Sequence, residues 1–463
     1  MTGGVVGGVP TADSRPAPEP DAHPDPDPDP DPDDTGTGSR PGPRPAGLPA
    51  TEPDPPRLPA AVLVLGGAVF ALGTSEFMLS GLLPEVAEDL DVTIPTAGLL
   101  ISAFAIGMVV GAPVLAAATH RLPRRATLIG LLIVFGLGHV VGALAPAYAV
   151  LFVCRVVSAL ACAGFWAVGA AVAVSLTAPE LRARALAVMI GGLSVATIAG
   201  VPGGALLGQA FGWRSAFWAV ALVTALGLAG VLALVPRTAP PRGDHAGDRP
   251  RIRAELRVYR DPQVWLAVST IALFAAGTFC FFSYLAPLLT DVAGLDERWV
   301  PVTLVLYGAG ALTGTVVGGR IADAHMFGTM YAGLGSASAV LVLVAVLAEA
   351  RWAPVVLAGL LGVASFLCAP GLNARIFQVA GATAPTLAGA TATSAFNTGN
   401  TVGPWAGGMV ISAGLGYTAT AWLGSALVLA ALAGAWLQSR AAGRARRVVS
   451  ARPEPAMERE GIR

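Results

Sequence analysis

The chain reads as an all-α membrane protein: twelve transmembrane helices in two six-helix halves related by a pseudo-two-fold axis. Three observations predict this. Of 463 residues, 54% are hydrophobic and only 13% charged, with a mean hydropathy of +0.66, too apolar for a water-soluble domain of this length. Apolar runs of membrane-spanning length follow one another with short polar breaks. The second half also repeats landmarks of the first at an offset of about 203 residues.

Residues 1–57 come first and carry the tract PDPDPDPDPDD from Pro24 to Asp34. Such a composition cannot bury a core, and an extended, disordered, solvated arm is expected. It lacks the basic start and early apolar run of a signal peptide. The predicted spans of the first half (58–235) are Leu58 to Leu83, Thr96 to Ala118, Thr127 to Ala147, Val150 to Val174, Ala185 to Leu207 and Ser215 to Val235. A linker rich in Arg, Pro and Asp occupies 236–262. The second half (263–438) holds Val264 to Leu289, Val302 to Gly319, Met330 to Ala348, Ala353 to Ala374, Leu387 to Ile411 and Thr418 to Leu437, and a basic tail fills 439–463.

Charge placement predicts orientation. All 29 basic residues are Arg and they balance 29 acids. The arm holds 11 acids and 4 Arg, about −7, leaving the remainder about +7. One set of breaks holds Arg121, Arg124, Arg125, Arg182, Arg184, seven Arg from Arg237 to Arg260, Arg320, Arg375 and the tail; the other holds only Arg214, Arg298 and Arg351. The positive-inside rule then puts both termini in the cytoplasm of a bacterial plasma-membrane protein. Glu85, Glu88, Asp89, Asp91, Asp291, Asp296 and Glu297 mark the opposite face.

The same inventory excludes several functions. No basic patch addresses nucleic acid. Cys154, Cys162, Cys280 and Cys368 lie in apolar runs without C-x-x-C spacing or clustered His, so neither metal nor disulfide is expected. A chain without Lys contains no phosphate-binding G-x-x-x-x-G-K-[ST] loop, which disfavours ATP-driven pumping. The nearest approach to a serine-hydrolase G-x-S-x-G is Gly192-Leu-Ser194-Val-Ala196, which lacks the final Gly, and no enzyme is expected.

Sliding the halves past each other places Gly107 and Gly111 on Gly310 and Gly314, Pro84 on Pro287, Pro202 on Pro404, and Gly212 and Trp218 on Gly416 and Trp422. Six spans per half give both halves the same orientation, an arrangement known among transporters. Against this duplicated background, two ionisable residues stand out well inside the spans: Glu76 in the first and Arg155 in the fourth, with Phe279 and Ala358 at their repeat positions. An intramembrane charge is costly enough to mark function. At ~1.5 Å per residue both lie roughly 10 Å below the acidic surface, a depth that makes contact feasible. A carboxylate moving between a low-polarity cavity and an Arg neighbour would take up and release protons, as a proton-coupled carrier requires. A static ion pair is the alternative.

The stretches GTSEFMLSGLLPEVAEDL at Gly73 to Leu90 and GVPGGALLG at Gly200 to Gly208 resemble the twelve-helix drug:proton antiporters of the major facilitator superfamily, actinobacterial chloramphenicol exporters in particular. The likeness covers roughly Leu58 to Leu437. It implies a protonatable acid at Glu76 and a helix-4 Arg at Arg155, the first residue of RVVSALACAG. It also implies a conformational latch after helix 2, where AATHRLPRR keeps Arg121, Arg124 and Arg125 but has His120 and Pro123 for the usual acid and glycine; GGRIADAH, with Gly319 and Asp323, fits that pattern better. The antiporter motif of helix 5 falls on Gly200, Pro202, Gly203, Gly204 and Gly208, and GNTVGPWAGG, with Gly403 and Pro404, repeats it in helix 11. Small residues with Pro suggest a packed but deformable seam between the halves.

For the substrate cavity the candidates are Phe165, Trp166, Phe279, Phe281, Phe282, Tyr284, Asn373, Asn397 and Asn400, an aromatic and amide lining that suits a flat, neutral drug. His139 is expected to be a hydrogen-bonded packing residue. The function expected is proton-coupled export of chloramphenicol-like drugs by alternating access, with protons as coupling ion, no other cofactor and no metal. The bilayer and a small-molecule drug are the expected partners of a monomer, and export of sugars or another small metabolite is the alternative.

Overall fold

The computed structural model describes residues 58–119, 122–237, 256–381 and 385–450. The arm, Arg121, residues 238–255 of the linker and residues 451–463 of the tail lie outside them, as does the side chain of Asp323. The described residues form helices and turns, without a strand.

The first half contains α1 (Ala60–Phe77), α2 (Ile94–Thr119), α3 (Arg124–Ala143), α4 (Tyr148–Ser175), α5 and α6 (Arg214–Leu234). A 3₁₀ turn, Met78–Gly81, and a short helix, Leu83–Asp89, follow α1. Three pieces make up α5: Arg182–Val195, a π turn Ala196–Gly200, and Val201–Phe211. Pro202 lacks the N–H that the carbonyl four residues earlier would accept, which accounts for the irregular turn just before it.

The second half contains α7 (Pro262–Phe282), α8 and α9 (Trp299–Ala322 and Ala324–Val346, one run broken at His325 with φ −137°), α10 (Ala353–Ala380), α11 (Pro385–Val410) and α12 (Thr418–Ser450). Asp261 caps α7, its carboxylate accepting from the Gln263 N–H at 2.8 Å, with Pro262 at the first helical position. Eleven stretches among the described residues are long and apolar enough to cross a membrane. The twelfth helix, α11, has comparable length but is too rich in Thr, Asn, Ser and Gly to qualify.

Close helix packing repeats between halves. Added Cβ atoms at Gly107 and Gly111 of α2 would press on Ala159 and Ala163 of α4, and at Gly310 and Gly314 of α8 on Gly359 and Val363 of α10. Gly212 and Gly416 end the α5 and α11 segments with φ of 80° and 77°, a conformation open chiefly to glycine. Each half has its own core, one including Leu72, Phe104, Phe135 and Phe217, the other Phe274, Phe281, Leu341 and Leu361.

The glycine–proline motifs fall only in part on the seam between the halves. Gly200, Gly204 and Gly208 face Thr74, Met78 and Leu82, and Gly399 and Gly403 face Ala275 and Ala276. These glycines therefore join α5 to the α1 segment and α11 to α7 within each half, while the same stretches also reach the other half: Val201 and Ala205 pack in the second half's core and Gly408 abuts Pro95 of α2. Gly203 faces open space. The halves meet where α2 lies along α11 and where α8 crosses α5. There Ser102 Oγ donates to the Thr401 carbonyl at 2.8 Å, and a Cβ on Gly308 would come within 2.8 Å of the Thr197 carbonyl oxygen.

Several arginines also depart from expectation. Arg375 belongs to α10, not to a break, and is buried: Nε donates to Gln438 at 3.2 Å and Nη2 to Gln263 at 3.2 Å. Arg320 is helical and exposed, and α12 runs on past Leu437 through Arg440, whose guanidinium lies 3.7 Å over Trp436. Helices extend beyond the most apolar runs, where hydropathy alone no longer marks their ends. Arg124 opens α3, and Arg125 donates to the Leu232 carbonyl, one of the last four of α6 that lack an intrahelical donor. It thus ties α3 to α6 within one half. Gly319 has no neighbour within 4 Å of an added Cβ.

Candidate functional site

At the end of α1 the backbone turns tighter, and Ser75 and Glu76 present their carbonyls toward α4. Arg155 of α4, only 1% exposed, fans its donors over that turn. Nη1 donates to the Ser75 carbonyl at 2.9 Å and to Ser75 Oγ at 3.0 Å, Nη2 reaches the Glu76 carbonyl at 3.5 Å, and Nε reaches the Leu100 carbonyl at 3.4 Å. Its carbon lies 4.2 Å over the Phe104 ring. A planar fork with five donors suits this many acceptors, as an ammonium would not.

The two charges are neighbours without being a salt bridge. Ion pairs within 4.0 Å among the described residues are Arg214 with Asp89 and Arg298 with Asp296, both on the acidic face. Arg155 holds the backbone beside Glu76, and the partly exposed carboxylate makes no hydrogen bond. A static ion pair is therefore not what the geometry shows. On the other side of Ser75, its hydroxyl lies 2.6 Å from His139 Nε2, and His139 Nδ1 lies 2.8 Å from the Phe135 carbonyl. The fully buried His139 thus bridges α3 to α1.

Beyond the pair, α5, α7, α8, α10 and α11 enclose a cavity of about 260 Å³. Phe77, Phe279, Phe282, Tyr307, Phe366 and Phe396 supply its aromatic wall, and Ser194, Thr197, Thr315 and Asn373 its polar side chains; no ionisable carboxylate or amine lines it. Phe279 is the hub, with ring centroids 5.5 Å from Phe77, 5.7 Å from Phe282 and 6.0 Å from Phe396; Phe282 continues to Tyr307 at 4.4 Å.

Of the expected lining, Phe279, Phe282 and Asn373 are present. Phe165 belongs to the core of the first half with Trp166 packed against that core, and Phe281 lies in the core of the second. Tyr284 is buried between α2 and α11, donating to the Pro404 carbonyl at 2.7 Å. Asn397 and Asn400 are 4% and 2% exposed and do not line the cavity. Missed were Phe77, Tyr307, Phe366 and Phe396. The signal available was position: Phe77 follows Glu76, and Phe366 and Asn373 lie seven residues apart on one helical face.

The cavity is shut toward the acidic face. There Gln209 Nε2 donates to the Glu297 carbonyl at 2.7 Å across the halves, Tyr148 donates to the Thr96 carbonyl at 2.7 Å, and Gly408 abuts Pro95. Toward the arginine-bearing ends of α8 and α10 the lining residues Thr315 and Asn373 are exposed, so the mouth lies on that side.

Known proteins share this architecture. The Major Facilitator Superfamily matches residues 65–394. A chloramphenicol resistance protein of Streptomyces lividans is 42% identical over 381 residues, covering 81% of this chain and 95% of that protein. Inner membrane transport protein YdhP of Escherichia coli strain K12 is 37% identical over 379 residues, 82% of this chain and 96% of its own. A bacterial homologue of the human lysosomal transporter Spinster, crystallised inward-facing and unoccupied, has the same fold at a TM-score of 0.66 and 20% identity, over 82% of this chain and 97% of that one. With a family match over most of its length and relatives of this identity spanned almost end to end, the chain belongs to the Major Facilitator Superfamily and is a multi-pass membrane transporter, not an enzyme.

Proposed function

We propose that the protein exports neutral, aromatic, chloramphenicol-like drugs across the bacterial plasma membrane in exchange for protons. The observation that carries this is the placing of Glu76, the one carboxylate within the helices α1–α7 and α10–α12 among the described residues, beside a buried guanidinium and next in sequence to Phe77 of the aromatic cavity. The 42% identical chloramphenicol resistance protein supports the substrate class. So does the wall: six aromatic rings and four small polar side chains favour a flat, weakly polar ligand, while a sugar needs many more hydrogen-bonding groups.

With both termini cytoplasmic, as the arginine distribution argues, the mouth faces the cytoplasm and the structure is the drug-loading state. Rocking of the halves would carry the drug outward, and proton uptake by Glu76 from outside would drive the return. Glu76 changes charge and Arg155 sets the field in which it does so.

The test is drug accumulation in a sensitive host expressing the native chain or Glu76→Gln at matched membrane levels, with and without a proton uncoupler. The native chain is expected to lower phenicol accumulation only while the gradient stands, and Glu76→Gln to abolish this. No export by the native chain overturns the substrate assignment; normal export by Glu76→Gln overturns the coupling role.

A further inference from the structure

The hydrogen-bond directions around Ser75 are fixed by chemistry. A carbonyl only accepts, so the Phe135 carbonyl requires a proton on His139 Nδ1. A guanidinium only donates, so Ser75 Oγ accepts from Arg155 Nη1. In the neutral ring Nε2 is then an acceptor, and the single Ser75 hydroxyl proton points at it. A cationic ring would set two unneutralised positive charges on either side of one buried hydroxyl, against the cost of burying each. The chain of donors therefore runs Arg155 to Ser75 to His139 to the Phe135 carbonyl and links α4, α1 and α3.

Resting on the coupling role argued for Glu76, we propose that Ser75 and His139 are positioning residues that hold Arg155 on the α1 carbonyls and thereby keep its guanidinium off the Glu76 carboxylate. Four of its N–H···O contacts go to Ser75, Glu76 and Leu100 backbone and to Ser75 Oγ, and none to that carboxylate. The titratable groups near Glu76 are Arg155 and Cys162, both of α4, and His139 of α3 lies within the field of Arg155. The charged residues of α5 and α6, Arg182, Arg184 and Arg214, sit at helix starts away from it. Without the Ser75 hydroxyl, Nη1 keeps the Ser75 carbonyl but loses one acceptor, and the donor released can turn to the neighbouring Glu76 carboxylate. The pair would close and Glu76 would stay ionised to lower pH.

The test is an infrared titration of the purified full chain in lipid, reading the carbonyl stretch of the protonated Glu76 side chain as the band lost in Glu76→Gln. Ser75→Ala and His139→Leu are expected to move its midpoint about one pH unit or more downward, the size of shift an opposite charge brings on contact. His139→Gln, whose amide both donates and accepts, is expected to restore the native midpoint, which a merely space-filling role for His139 would not. Unchanged midpoints in Ser75→Ala and His139→Leu overturn the proposal and leave the coupling role standing. Absence of any Glu76-dependent band between pH 5 and 9 instead removes the coupling role and the proposal with it.

Discussion

At the residue scale the decisive contrast is between Phe279 and Glu76, the charge at its repeat position. Phe279 takes part in three ring contacts, and edge-to-face pairs are worth about 0.5–1.5 kcal/mol each. Phe279→Ala is therefore expected to destabilise the second half by about 3–5 kcal/mol and to raise the drug concentration needed for half-maximal transport, checked by thermal unfolding and transport assays on one preparation. Arg155→Lys should lose most transport at normal expression, since one ammonium cannot serve four acceptors spread over α1 and α2. That Glu76 and Arg155 are neighbours was legible in the sequence, because two charges at equal depth inside apolar runs have reason to meet. The cavity wall was less so: Phe165 and Phe279 look alike in sequence, and only helix packing sends one into a core and the other to the cavity.

At the element scale the glycine–proline stretches let helices pack closely. An added side chain at Gly200 meets Thr74, whose Cβ would lie 3.0 Å away, so Gly200→Val is expected to push α5 from α1 and cost about 1–3 kcal/mol, read as a lower midpoint of thermal unfolding. Substitution at Gly203, which faces open space, should leave that midpoint unchanged. Helix number was legible from the alternation of apolar runs with breaks, and pairing from the repeat. Helix ends were not, because α10 and α12 continue past the apolar runs, and Arg375 is buried by Gln438 and Gln263 instead of exposed in a loop. Nor could glycine spacing say which neighbour a small face would meet.

At the scale of the whole molecule, the closed acidic face has its own pH dependence. Glu85, on the short helix between the halves, has its carboxyl pushed up by burial and by the like charges of Glu297, from the other half, and Glu88, and Oε2 is buried without a partner. An acid whose value is raised on closure binds its proton more tightly there, so its contribution to closure is full at low pH and is lost as pH rises through the raised value. Spin labels at Ala147 and Ala350, one on each half, should report separation of this face as pH rises, and Glu85→Gln should flatten that response. Which face is shut was not legible in the sequence, since it depends on contacts between distant residues such as Gln209 and Glu297.

The polarity of α11 reaches back to how the molecule is made. A helix carrying Thr391, Thr393, Asn397, Thr398, Asn400 and Thr401 has little to gain from lipid and is accommodated by lying along α2 and α7. Its settling into the bilayer during synthesis is therefore expected to wait for both of those earlier helices, which would make assembly of the second half depend on the first.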